Sequence, residues 1–89
     1  MSWHAHKTTS QRKIITVQEW ADYIGVSKNT ILAWMKKYKA ENTYDPRDIY
    51  SVFDFFLYLL IEKYNPKDMY SVRDFLKSII MRRVRQDMP

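Results

Sequence analysis

The chain has 89 residues, 46% of them hydrophobic, a net charge of +5 and no cysteine. That length suits one domain with a single modest core, and that apolar fraction is too high for a disordered chain. The lack of Cys excludes disulfides and cysteine-based zinc sites. One Gly and three Pro leave few turn residues, which disfavours an all-β protein and predicts an all-α one: a small helical bundle with short joints.

Residues 1–13, MSWHAHKTTSQRK, have no apolar periodicity and read as a flexible basic arm. No secretory signal is visible there. With Met1 removed, Ser2-Trp3-His4 would set a His third from a free amine, a geometry that binds copper. His4 and His6 have no other ligands around them in sequence, so the reading is a tail with no metal. The longest unbroken apolar run, Phe55 to Ile61, is too short to span a bilayer. The expectation is a cytoplasmic protein with no membrane partner and no cofactor.

Charge is unevenly spread. Residues 1–40 hold seven basic residues against two acidic ones; the rest of the chain holds eight of each. An electrostatic partner should therefore meet the N-terminal half.

Residues 14–89 read as one helical domain. Its first helix starts after Thr16, a natural N-cap, with Glu19 placed three residues on to complete a capping box. Val17, Trp20, Ala21 and Ile24 follow helical apolar spacing. Gly25 ends the helix, because it adopts the left-handed conformation without steric cost. Ser27 is the next N-cap. Ile31, Trp34, Met35 and Tyr38 then form an apolar stripe, while Lys28, Asn29, Ala33, Lys36 and Lys37 project from other faces. The joint is so short that the two helices must cross sharply.

Two near-copies follow, in units 44–63 and 64–85. YDPRDIYSVFDFFLYLL, from Tyr44, returns twenty residues later as YNPKDMYSVRDFLKSII, from Tyr64, with eight of seventeen positions identical. Each copy offers two helix starts. Asp45-Pro46-Arg47-Asp48 and Asn65-Pro66-Lys67-Asp68 have a cap followed by Pro at the first helical position. Ser51-Val52-Phe53-Asp54 and Ser71-Val72-Arg73-Asp74 resemble a capping box. Each copy therefore reads as a short helical turn and a longer helix, with one continuous helix as the other arrangement. Tyr44, Tyr50, Tyr64 and Tyr70 read as joint-packing residues.

Residues 16–38 resemble the helix-turn-helix of DNA-binding proteins, particularly the excisionase and MerR-like regulators. The matching residues are Thr16-Val17, Ala21, Ile24-Gly25-Val26-Ser27, Thr30-Ile31 and Trp34. The sequence departs from that pattern at Trp20, bulky where a small residue is usual, and in lacking a Gly-rich wing after the second helix. The resemblance implies that residues 14–40 bind double-stranded DNA. It makes the second helix the reader, with Ser27, Lys28, Asn29 and Thr30 at its leading end and Ala33, Lys36 and Lys37 further along. Asn can contact adenine, Lys guanine or phosphate, and Thr or Ala the thymine methyl. Lys37 and Lys39 suit backbone phosphates. Lys7, Arg12 and Lys13 of the arm would add phosphate or minor-groove contacts. A sequence-specific regulator or recombination accessory factor, of the type common in mobile elements and viruses, is the function this implies.

The repeat supplies the cover that a two-helix unit needs. Val52/Val72, Phe55/Phe75, Phe56/Leu76, Leu59/Ile79 and Leu60/Ile80 keep one apolar face in both copies. Phe53 becomes Arg73, and Leu57 becomes Lys77. The first copy thus has a second apolar face that the second copy lacks. One reading makes the first-copy helix central, buried on both faces, so that Phe53→Arg would unfold the domain. The other makes the extra face a homodimer interface. Arg82, Arg83 and Arg85 sit in the last turns, where cations suit the helix dipole; a phosphate contact is the alternative.

An enzyme is not expected. The only histidines lie in the arm, most Asp residues serve as caps, and no phosphate-cradling Gly loop or paired carboxylate stands out. No small-molecule substrate is implied. The competing function is a protein-interaction or assembly module, comparable to packaging adaptors, that oligomerises through the repeat helices.

Overall fold

The computed structural model describes residues 12–87. They form four helices and no strand. Helix α1 is Val17–Ile24, α2 is Lys28–Lys39, α3 is Ile49–Tyr58, and α4 is Met69–Asp87. A π-helical turn, Leu59–Lys63, extends α3. It closes with the Tyr64 amide donating to the Leu59 carbonyl at 2.6 Å, just ahead of the Pro66 segment that disfavours further helix.

The first two helices form where their caps put them. The Thr16 side chain accepts from the Glu19 amide at 3.1 Å, and Glu19 accepts from the Thr16 amide at 3.0 Å. Gly25 takes φ +85° and returns its amide to the Ala21 carbonyl. Ser27 Oγ accepts from the Thr30 amide at 3.2 Å. The backbone groups at the start of α1 and at the joint are thereby satisfied by local residues.

The repeat helices start three residues earlier than the serine capping boxes suggest. Asp48 caps α3, its carboxylate accepting from the Tyr50 amide at 3.1 Å. Asp68 accepts from the Tyr70 amide at 2.9 Å in the same way. Asp45 caps a β-turn over Pro46-Arg47, accepting from the Arg47 amide at 3.0 Å, while the Asp48 amide returns to the Asp45 carbonyl. The reason is that the serines are otherwise engaged. Ser51 Oγ accepts from the Asp45 amide at 2.7 Å, and Ser71 Oγ donates to Asp68 at 3.0 Å.

Trp20 is the centre of the core. It is fully buried, meets Phe55 edge-on at 5.4 Å, and lies 5.7 Å from Phe56 and 5.6 Å from Phe75. Its Nε1 donates to the Tyr44 hydroxyl at 3.0 Å, which satisfies the only polar atom of the indole. One bulky residue of α1 thus touches both copies of the repeat. Tyr38 of α2 packs on Phe55 at 5.1 Å. Tyr23 stacks on Phe75 at 3.8 Å.

The core extends N-terminally to Ile14 and Ile15, both fully buried. The Ile14 amide donates to the Pro46 carbonyl at 2.7 Å, and its carbonyl accepts from Arg82 at 3.1 Å. Arg82 also pairs with Glu19, and Arg83 donates to the Arg47 carbonyl at 3.0 Å. Two of the C-terminal arginines therefore bind the segments that precede α1 and α3, rather than only the end of their own helix.

Two expectations need correction. The second apolar face of α3 is not buried: Phe53 is half-buried and Leu57 is 54% exposed. Helix α4 reaches the core through Phe75, Val72 and Ile79, against Trp20, Tyr23 and Phe56, so it covers only one flank of α3. Nor do all four tyrosines pack at joints. Tyr44 and Tyr64 do, Tyr64 lying 5.8 Å from Tyr23, but Tyr50 and Tyr70 are 77% and 75% exposed, because the true helix starts turn both outward.

Candidate nucleic-acid interface

Helix α2 has one face committed to the core, through Ile31, Met35 and Tyr38. At 100° per residue, the opposite face carries Asn29, Ala33, Lys36 and Lys37, all exposed. Leu32 borders this row and is 44% exposed. Lys28 and Lys39 follow Leu32 along the next side of the helix at helical spacing, and both are exposed. Helix α2 contains four lysines and no acidic residue. Neither salt bridge among the described residues involves them. Three of the four lie in the last turn, where they also complement the helix dipole.

Ser27 and Thr30 hold the leading end in place. Their hydroxyls are 2.9 Å apart and hydrogen-bonded, and Ser27 caps the helix. Ser27 is exposed and Thr30 half-buried, so their first task is local geometry, which fixes where Lys28 and Asn29 stand. Lys39 lies over the Tyr44 ring, its Nζ 5.9 Å from the centroid. That contact orients the ammonium while leaving it hydrated.

Of the basic arm, Arg12 and Lys13 are described and exposed, and Lys7, with His4 and His6, lies outside the described residues. Lys13 and Lys39 line one furrow of about 200 Å³ with Ile15, Leu32 and Tyr44. The start of the domain therefore runs beside α2, and Lys13 joins the α2 lysines on one flank. Sequence reading did not place Lys13 and Lys39 on one furrow, because residue 14 is tied by its amide to the Pro46 carbonyl, 32 residues away in the chain. It also passed over Leu32, whose signal was its offset by one position from the Ile31–Met35 stripe.

Chemically, this face offers an amide that can bind the major-groove edge of adenine bidentately, apolar groups suited to a thymine methyl, and lysines for guanine or phosphate. The groups with displaced pKa values are structural. Burial pushes the Tyr44 hydroxyl up to about 12, with Asp45 adding to the effect and the Trp20 hydrogen bond opposing it. Burial, then the neighbouring Tyr64 and Asp68, does the same for Tyr23. Burial and Asp54 raise Tyr38. The Arg47 backbone amide holds Asp45 below the ordinary carboxylate value, with the guanidinium helping. Among the described residues, no cluster of three or more His, Cys, Asp or Glu is placed to hold a metal ion. No helix there is long and apolar enough to cross a membrane.

Comparison of the chain with protein-family models, curated proteins and solved structures found no match.

Proposed function

We propose that the chain is a small sequence-specific double-stranded DNA-binding protein, with α2 as its reading helix. It would act as a transcriptional regulator or recombination accessory factor, of the kind found in mobile elements and viruses. The observation that carries the reading is the exposed row Asn29, Ala33, Lys36 and Lys37, on a capped helix whose lysines have no acidic partner among the described residues. The likeness of residues 16–38 to a helix-turn-helix supports it, as does the Lys13–Lys39 flank. In this reading Asn29 and Lys36 read bases, and Lys13, Lys37 and Lys39 hold phosphates.

Selection from a random duplex pool tests the proposal, with wild type beside an Asn29→Ala, Lys36→Ala double variant. The expected outcome is a motif that sharpens over rounds and is lost in the variant. Each lost base contact should cost about 1–3 kcal/mol of discrimination. Lys37→Ala should weaken all sequences alike and lower the salt slope by about one. If no motif emerges and residual binding ignores the variant, base readout is the wrong reading. A protein-interaction module would then stand as the alternative, favoured by one specific feature: the open apolar groove between α3 and α4.

A further inference from the structure

Helices α3 and α4 border a groove of about 350 Å³ lined by Phe53, Phe56, Leu57 and Leu60 on one side and Leu76 and Ile80 on the other. Asp54 is its only charged lining residue. Leu57 and Ile80 are 54% and 45% exposed, and Ile61 beyond them is 71% exposed. The strip is apolar at its centre with charged residues at its rim, the composition of an interaction surface.

We infer that a second copy of this chain covers the groove in a two-fold dimer. The two walls carry opposite charges. The α3 wall has Asp54 between Phe53 and Leu57. The outer shoulder of α4 has Lys77 between Leu76 and Ile80, with Arg73 one turn before it; all three charged residues are exposed. The facing sets Phe53/Leu57 and Leu76/Ile80 put Asp54 and Lys77 at one level along the groove. A two-fold axis running along the groove exchanges the walls and keeps the level. It therefore lays α3 of one copy over α4 of its partner, with Asp54 opposite the partner's Lys77 and the stems of Arg73 and Lys77 over exposed apolar side chains. Within the protomer Asp54 is in neither salt bridge among the described residues. The same pattern explains why the copies of the repeat differ at 53/73 and 57/77. Both copies keep an acid, Asp54 and Asp74, but only Asp54 lines the groove, Asp74 lying with Lys77 and Ser78 on the outer side of α4; what α4 adds in place of Phe53 and Leu57 is the two bases.

The dimer does not rest on the DNA reading, and its test contains no DNA. Sedimentation equilibrium of the full chain should show a concentration-dependent monomer–dimer equilibrium. Leu57→Lys should raise the dissociation constant at least about tenfold with an unchanged circular dichroism spectrum, since Leu57 is already exposed. Asp54→Lys and Lys77→Asp should each weaken association, and together restore it. Asn29→Ala, Lys36→Ala should leave it unchanged. A chain that stays monomeric up to its solubility limit overturns the inference. So does a dimer indifferent to Leu57→Lys, or a charge swap that fails to restore association, because either would place the contact elsewhere.

Discussion

The two copies of the repeat share a register and a start. Asp48 and Asp68 cap their helices through the same bond, to the amide two residues on. Val52/Val72 and Leu59/Ile79 are buried in both. Yet the copies do different work. In α3, Phe55 is fully buried and touches Trp20, Tyr38 and Tyr44. In α4, its counterpart Phe75 is half-buried, at the rim of Trp20 and Tyr23. Equal sequence positions became unequal positions in space, because α3 lies under α1 and α2 while α4 closes the assembly from one flank. Repetition therefore supplies two helices of one design, and the order of packing decides which becomes the core.

That asymmetry can be broken by experiment. The largest effect is expected at the aromatic pair. Phe55→Ala should cost about 3–5 kcal/mol in chemical denaturation, and Phe75→Ala clearly less. Equal losses would mean that α3 is not the inner helix.

The next effect concerns Tyr44 and its counterpart Tyr64. Tyr44→Phe leaves the Trp20 indole N–H without its acceptor, which should cost about 1–3 kcal/mol; Tyr64→Phe, at the rim, should cost less. Tyr44 also sets a pH dependence. The folded Tyr44 hydroxyl sits at about 12 against an ordinary value of 10.0, so the unfolded chain releases its proton first as pH rises. Its contribution is full below the ordinary value and is lost as pH climbs toward the folded one. Alkaline melts of wild type should therefore decline across that window, and the decline should be shallower in Tyr44→Phe. Tyr23 and Tyr38, raised by the same burial, contribute to the remainder. An identical alkaline decline in both proteins would count against a buried, hydrogen-bonded Tyr44.

The smallest effect sharpens the likeness of the copies rather than their difference. Asp48→Ala and Asp68→Ala should each cost about 1 kcal/mol, because each removes one cap of the same geometry. Thermal melts showing a loss at Asp48 alone would place the start of α4 elsewhere.

Much of this was legible in the chain. The Thr16–Glu19 box, the Gly25 stop and the Ser27 cap are local interactions within four residues, and short range makes them readable. The face of α2 was legible too, since Ile31, Met35 and Tyr38 leave only one side for Asn29, Ala33, Lys36 and Lys37. The helix starts of the repeat were harder. Asp45, Asp48 and Ser51 all had capping chemistry, and the choice fell to a bond between Ser51 and the Asp45 amide across a turn. Phe53 and Leu57 left two readings open, core or interface, because apolar character on two faces of a helix says that both seek cover. It does not say whether the cover comes from the same chain.

The sequence by itself determined an all-α chain, the order of its helices, the caps of the first two and the lysine-bearing face of the second. Each of these follows from interactions no longer than a turn or from the period of the helix. The tertiary structure alone decided that Trp20 joins both repeat copies, that Arg82 ties α4 to Ile14 and Glu19, that Lys13 stands beside Lys39, and that the Phe53–Leu57 face stays open. These depend on contacts between residues far apart in the chain, where packing geometry rather than residue type chooses among several partners of suitable chemistry.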